Sequence, residues 1–155
     1  MKLLLKNTRG RIMKKLAIVA FALVLAMTFV GCGVHDLRFV GTWDYVYSYD
    51  QGTGKPSQAT RFEFTKDGVV KTYDISYKYV GDDVTFKKSA NTPSEGTWLV
   101  INNDILEIED LVPRYNKKWV VEFSSLNKKM KWTDKKDDKN VVNLEKATVT
   151  TEDAE

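Results

Sequence analysis

Residues 41–49 read Gly-Thr-Trp-Asp-Tyr-Val-Tyr-Ser-Tyr, and this stretch decides the fold. Its four aromatic residues occupy every second position from Trp43 to Tyr49, with smaller or polar residues between them. Successive side chains of a β-strand point to opposite faces of the sheet, so this alternation places all four rings on one face. The stretch therefore predicts a strand whose aromatic face is directed into a core.

The same alternation continues to residue 146. The apolar residues that share a face in each later segment are Phe62 and Phe64; Tyr73, Ile75, Tyr77 and Tyr79; Val84 and Phe86; Trp98 and Val100; Leu106 and Ile108; Trp119, Val121 and Phe123; and Met130 and Trp132. Gly, Asn and Asp residues suited to tight turns separate these segments. We predict an all-β domain of eight or nine antiparallel strands, which either close into an up-and-down barrel or pack as a β-sandwich.

Two short motifs resemble the lipocalin family. Val40-Gly41-Thr42-Trp43 resembles the Gly-x-Trp opening of lipocalin-like domains, in which the tryptophan closes the barrel floor. Residues 62–68, Phe-Glu-Phe-Thr-Lys-Asp-Gly, are similar to a hairpin in the small lipocalin-like domains of bacterial envelope lipoproteins. The resemblance covers residues 39–146. It implies an up-and-down barrel over residues 39–147, with Gly41 and Trp43 as structural residues of the floor.

A lipocalin-like barrel would carry its ligand site at the mouth, opposite the floor. Counting hairpins from Trp43 places the flexible loop at 50–57 at the mouth, where it would act as a lid. The other connections predicted at the mouth are those near 80–83, 102–103 and 125–127. The connections predicted at the floor are those at 66–68, 89–94, 111–116 and 134–140. The inward-facing residues that we predict to bind a small apolar or amphipathic ligand are Tyr47, Tyr49, Tyr77, Tyr79, Val100, Phe123 and Met130. The alternative is that these side chains simply fill the interior of a small barrel.

The amino-terminal third carries an export signal. Residues 13–32 combine two lysines, a 15-residue stretch from Leu16 to Val30 in which only Thr28 is polar, and a small residue before Cys32. The end of this segment, Phe-Val-Gly-Cys, resembles the lipobox of bacterial lipoproteins, whose cysteine is acylated with fatty acids such as palmitate and becomes the new amino terminus. The resemblance implies a cleaved signal helix at 1–31 and a lipidated tether at 32–38. The second methionine, Met13, directly precedes the two lysines of the signal and is the start that we expect.

The same resemblance implies a location and partners. Several acyl chains anchor a protein stably to a membrane, whereas one does not, so we expect a membrane-anchored protein of the cell envelope. Glycine, rather than aspartate, follows Cys32, which favours the outer membrane where the envelope has two. We predict that residues 148–155 form a polar flexible tail.

Composition excludes one class of partner. Six of the 24 basic residues and none of the 21 acidic residues precede Cys32, so the mature chain has 18 basic and 21 acidic residues and a net charge of −3. A mildly acidic domain has no electrostatic attraction to nucleic acid.

Catalysis, cofactors and metals are not indicated. The only histidine, His35, lies three residues from Cys32, and we assign it to the tether or a short plug. The acidic clusters at 82–83, 104–110 and 137–138 fall in turns or on solvent-facing strand positions, and no Cys/His metal-ligand spacing is present. We therefore expect no enzyme. Two hypotheses remain: a barrel that binds a small ligand, and a filled barrel that contacts another envelope protein.

Overall fold

The computed structural model describes residues 35–89, 93–150 and 152. The secondary structure in them consists of nine strands: β1 (Gly41–Tyr49), β2 (Pro56–Phe64), β3 (Val69–Val80), β4 (Asp83–Lys88), β5 (Ser94–Ile101), β6 (Ile105–Glu109), β7 (Lys118–Ser124), β8 (Lys129–Asp134) and β9 (Asp137–Lys146). Within these residues no helix is long and apolar enough to cross a membrane. The predicted signal segment and Cys32 lie outside the described residues.

Eight of the strands form a closed antiparallel barrel, and the ninth is attached to its outside. The ring follows chain order except that it omits β4, so that β3 is followed by β5. It closes where β9 returns to β1 and Lys146 pairs with Trp43. The prediction of an all-β, up-and-down barrel of eight or nine strands is therefore confirmed, and the fold is a barrel rather than a sandwich.

The extra strand arises because β3 is long enough for two partners along one edge. Residues 69–72 pair with β5, whereas residues 75–80 pair with β4. Both partners are antiparallel to β3, so β4 and β5 run in the same direction. Every strand after β4 consequently runs opposite to the direction that a simple succession of hairpins would give it.

This reversal corrects the predicted ends of the barrel. We call the end at which β1 begins the lower end, and the end at which β1 finishes the upper end. The turns at 65–68, 102–104 and 125–128 lie at the lower end, and the connections at 50–55, 110–117 and 135–136 lie at the upper end. The predicted positions of the connections near 102–103, 111–116, 125–127 and 134–140 are wrong, because β4 does not contribute to the ring.

Segments of chain cover both ends of the barrel. At the lower end Phe39, which is fully buried, precedes β1 and packs on the rings of Phe64 and Trp98 with centroids 6.1 and 5.7 Å away. At the upper end Leu111 and Tyr115, in the β6–β7 connection, are 6% and 3% exposed. The barrel is therefore closed at the bottom by the segment before β1 and at the top by the β6–β7 connection.

A glycine lets the upper connection lie this close to the wall. At Gly96 on β5 a Cβ atom would lie 2.3 Å from the carbonyl oxygen of Glu109 and 2.8 Å from the amide nitrogen of Leu111. Any larger residue would push the chain leaving β6 away from β5. Gly96 thus permits the turn that brings Leu111 over the core.

Candidate functional site

The interior of the barrel is filled by aromatic side chains in mutual contact. All four tryptophans are at most 2% exposed. Phe62 meets Tyr115 and Trp132 edge-on, with ring centroids 4.8 and 5.1 Å apart, within the range of roughly 4.5–7 Å that aromatic pairs favour. An eight-stranded barrel is just wide enough for side chains to occupy its interior, and here they do so.

Three of the seven predicted ligand-binding residues lie in this filled interior. Val100 and Met130 are 1% and 2% exposed, and Phe123 is half-buried with its ring centroid 4.9 Å from that of Phe39. All three lie close to the lower-end turns and not at the upper end, where the prediction placed them. Their surroundings are those of core side chains.

The two predicted floor residues lie at the lower end. The indole Nε1 of Trp43 donates a hydrogen bond of 2.6 Å to the carbonyl oxygen of Phe39, which fixes the covering segment to the first strand. Gly41 has φ +120°, a backbone conformation that other residues rarely adopt. This conformation turns the chain from the covering segment into β1.

A second buried cluster lies on the outside of the barrel, between its wall and β4. Arg61 of β2 forms two hydrogen bonds with the carboxylate of Asp44 on β1, of 2.7 and 2.8 Å, and its guanidinium lies 4.1 Å from the ring centroid of Phe86 on β4. The hydroxyl of Tyr77 donates to the same carboxylate at 2.8 Å. The charged side chains are 2% and 5% exposed, so this is a buried ion pair with several partners.

The carboxyl-terminal segment covers this outer cluster. Arg61 donates a third hydrogen bond, of 2.8 Å, to the carbonyl oxygen of Val149, and the Val149 side chain packs against the apolar residues there. Further on, Glu152 forms an ion pair with Lys88 at 2.9 Å. In its described part, the segment predicted to be a flexible tail is thus attached to the barrel.

Tyr77 and Tyr79 lie on the outer face of the barrel wall, not on the predicted inner face. Residues directly opposite in an antiparallel pair share a face, and Arg61 lies opposite Tyr73. Tyr73, Tyr77 and Tyr79 therefore share the outer face with Arg61 and not the inner face with Phe62. The prediction that Tyr77 and Tyr79 point into the barrel is wrong, because their strand pairs with β2 in this register.

The remaining predicted tyrosines lie at the upper end, on the surface. Tyr47 is 47% and Tyr49 is 58% exposed. Tyr79 is close to them, because its hydroxyl donates a hydrogen bond of 2.8 Å to the carbonyl oxygen of Pro56, the residue that pairs with Tyr49. The Lys55 ammonium lies 4.9 Å from the Tyr79 ring centroid. We call Tyr47, Tyr49 and Tyr79 the tyrosine rim.

Shallow grooves flank the rim on the outer face. One, of about 280 Å³, lies between the loop at 50–57 and the side chains of Tyr77 and Tyr79. Another, of about 230 Å³, lies between the same tyrosines and the segment at 145–149. The loop predicted to be a lid and two of the predicted ligand-binding residues therefore do meet, but outside the barrel.

A larger depression, of about 460 Å³, lies elsewhere and is lined mainly by charged residues. It opens where β6 and β7 separate, and its wall includes Lys117, Lys118 and Asp134. Lys117 forms an ion pair with Asp134 at 2.8 Å, and Lys118 forms one with Glu107 at 2.8 Å. Both lysines of this wall are therefore paired with carboxylates.

His35 and the acidic pair of the β3–β4 turn lie apart from the depression. The His35 ring packs on Trp98 at the lower end, with centroids 5.1 Å apart, and Asp82 and Asp83 are exposed in the β3–β4 turn. In the part of the chain that the structure describes, no three His, Cys, Asp or Glu residues are arranged to hold a metal ion.

Sequence reasoning missed the outer cluster because alternation places Arg61 only on the face opposite Phe62 and Phe64, with nothing to show what covers that face. Nothing in the alternation of β2 shows that a further strand covers this face. One available signal was the even spacing of Tyr73, Ile75, Tyr77 and Tyr79 on a strand longer than the others. Such a strand extends beyond the barrel and offers its upper half to another partner.

Burial in the outer cluster predicts a loss of stability at high pH. Burial, the charge of Asp44 and the hydrogen bond to it raise the pKa of Tyr77, while burial and the hydrogen bond to Glu63 raise the pKa of Tyr73. In the unfolded chain a tyrosine titrates near pH ~10. The stabilisation is complete below that pH and is lost as the pH rises toward the folded-state pKa values.

Urea unfolding at a series of pH values checks this expectation. The free energy of unfolding should fall steadily as the pH rises above about 10. The fall should be smaller in a variant that carries both Tyr73→Phe and Tyr77→Phe. An identical pH dependence in the variant and the original protein would contradict the assignment.

Comparison of the chain with models of known protein families, with curated proteins and with solved structures finds no match.

Proposed function

We propose that this chain is a lipoprotein of the cell envelope, tethered through an acylated Cys32, and that its lipocalin-like barrel is a non-enzymatic interaction module. The observation that carries the proposal is the filled interior. A carrier of apolar molecules needs an empty cavity, whereas here the rings of Phe62 and Trp132 meet inside the barrel and Tyr115 packs on Phe62 from the upper end. Where the envelope has two membranes, the residue after Cys32 favours the outer one.

At the tyrosine rim, the size of the grooves supports a partner protein over a small ligand. Sites for small molecules usually have volumes of roughly 300–1,000 Å³ and enclose most of the guest. The grooves beside Tyr77 and Tyr79 measure about 280 and 230 Å³, so they fall below that range. An apolar ligand held there is the second candidate, favoured by the meeting of the loop at 50–57 with both tyrosines.

The tyrosine rim supports the upper end as the contact surface. Tyrosine is enriched at protein interfaces, because its ring supplies contact area and its hydroxyl a hydrogen bond. Tyr47 and Tyr49 are 47% and 58% exposed, and Val80 nearby is 65% exposed. Packing in the barrel core does not account for side chains of this size at exposed positions.

Site-specific photo-crosslinking in the native host tests the proposal. A photoreactive amino acid at position 47 or 49 should yield a covalent adduct with another protein, whereas the same residue at Lys131, on the outer face of β8, should not. The mature protein should also carry acyl groups on Cys32, and Cys32→Ser should release it from the membrane. Absence of any adduct at the rim, together with a small molecule bound stoichiometrically to the purified protein, would favour the second candidate.

A further inference from the structure

The exposed apolar side chains of the barrel divide between its two ends. Among the described residues the large hydrophobic side chains that are clearly exposed are Leu37, Tyr47, Tyr49, Val80 and Leu126. Three of them lie at the upper end and belong to the tyrosine rim or its surroundings. Leu37 and Leu126 lie at the lower end, and the core does not account for either.

Leu126 occupies a position that suits a leucine poorly. It lies in the turn between β7 and β8 and is 94% exposed. Its φ is +55°, and its neighbours Ser125 and Asn127 have φ of +51° and +62°. Glycine, asparagine and aspartate accept this left-handed conformation more readily than leucine does. Neither burial nor turn geometry explains a leucine there.

Leu37 lies between two charged residues, Asp36 and Arg38, that are hydrogen-bonded to each other. The guanidinium of Arg38 forms hydrogen bonds of 2.8 and 2.6 Å with the carboxylate of Asp36 and one of 3.2 Å with the carbonyl oxygen of Asn103. The same guanidinium lies 4.7 Å from the ring centroid of Phe123. The turn that presents Leu37, 68% exposed, is therefore fixed to the barrel wall.

The short distance along the chain from Cys32 to the barrel indicates which end of the barrel lies near the anchor. The described chain begins at the lower end, where His35 packs on Trp98. The three residues from Cys32 to His35 span at most about 11 Å when fully extended. An acyl anchor on Cys32, which is part of the proposed function, would therefore hold the lower end close to the lipid surface.

We propose that the lower end of the barrel lies against the bilayer, with Leu37 and Leu126 inserted among the lipid acyl chains. Insertion removes both side chains from water, which would explain why the fold leaves two leucines exposed at this end. The lower-end turns carry Lys66 and Lys128 beside Asp67 and Asp104, so their charges balance. Contact should consequently depend on the leucines and only weakly on anionic lipid. The tyrosine rim, at the opposite end, then faces away from the membrane.

Fluorescence on vesicles tests this orientation. Cys32 is the only cysteine of the chain and is blocked when acylated, so Ser125→Cys introduces one free thiol beside Leu126. The full lipoprotein, labelled there with an environment-sensitive dye and reconstituted into phosphatidylcholine vesicles, should show blue-shifted emission with increased intensity. The shift should be lost when Leu126→Asp is added. The control is Asp82→Cys at the upper end, whose label should emit as it does in water.

The possible results separate this inference from the proposed function. An acylated protein that floats with the vesicles while the label at position 125 emits as it does in water would overturn the orientation and leave the lipoprotein intact. Equal emission shifts at positions 125 and 82 would overturn it as well. A mature protein without acyl groups on Cys32 would instead refute the anchoring on which the inference rests.

Discussion

Replacing Asp44 with alanine is expected to lower the free energy of unfolding by about 3–5 kcal/mol, because it leaves the buried guanidinium of Arg61 without a counter-charge. Both side chains are almost fully buried and joined by two hydrogen bonds. The substitution also removes the acceptor of the Tyr77 hydroxyl. Urea unfolding followed by tryptophan fluorescence measures the loss.

Two further variants show whether burial of the charge is the cause. Glu122→Ala removes an ion pair with Lys131 of 3.5 Å whose side chains are 66% and 46% exposed, and should cost about 0–1 kcal/mol. Asp44→Leu combined with Arg61→Met removes both buried charges and should recover most of the stability that Asp44→Ala loses. If the double variant is as unstable as Asp44→Ala, the pair contributes through its shape and contacts and not through the balance of its charges.

Replacing Phe62 with alanine is expected to cost about 3–5 kcal/mol, because its ring is fully buried and the interior cannot collapse around the space it leaves. The ring contacts Phe64, Tyr115 and Trp132, which come from three different elements. Thermal or urea unfolding of the variant measures the loss.

The predicted ligand-binding residues provide the comparison. Met130→Ala should cost about 2–5 kcal/mol if the side chain is part of a filled core, and Tyr49→Ala, at the exposed rim, should lie within about 0.5 kcal/mol of the original protein. A small effect at Met130 would instead indicate a loosely packed wall, as in a barrel that holds a guest.

The strands could be predicted from the sequence because alternation is a local property. In β1 and β2 the buried residues Trp43, Phe62 and Phe64 occupy the positions that alternation assigns to the core. Turn residues between the segments marked the hairpins correctly. Closure into a barrel was predicted by the resemblance of a few residues around Trp43, and the structure agrees with it.

The arrangement of the strands could not be predicted, because one strand outside the ring is invisible in a linear pattern. Once β3 takes both β4 and β5 as partners, counting hairpins assigns the later connections to the wrong ends. This error moved Val100, Phe123 and Met130 from the lower half of the barrel to the upper half. For Tyr77 the error concerned the face of the strand, since only the pairing of Arg61 with Tyr73 shows that Tyr77 faces outward.

Two residues of the tyrosine rim were predicted at the correct end of the barrel but with the wrong orientation. Tyr47 and Tyr49 were predicted to lie near a mouth, and they do lie at the upper end of the barrel. The pairing of β1 with β2 is interrupted by bulges around Ser48, and here the side chains leave the core and become exposed. A bulge redirects the strand locally, and no sequence pattern in residues 45–49 predicts it.

The central claim is that the barrel is filled, and native mass spectrometry of residues 33–155, purified without detergent and incubated with lipids extracted from the envelope, tests it most directly. A filled barrel should give the mass of the polypeptide alone, before and after incubation. A stoichiometric adduct with an apolar compound would contradict this claim. A guest inside the barrel should be lost when Met130 or Phe123 is replaced by a charged residue, and it should be kept when Tyr79 is replaced by a charged residue.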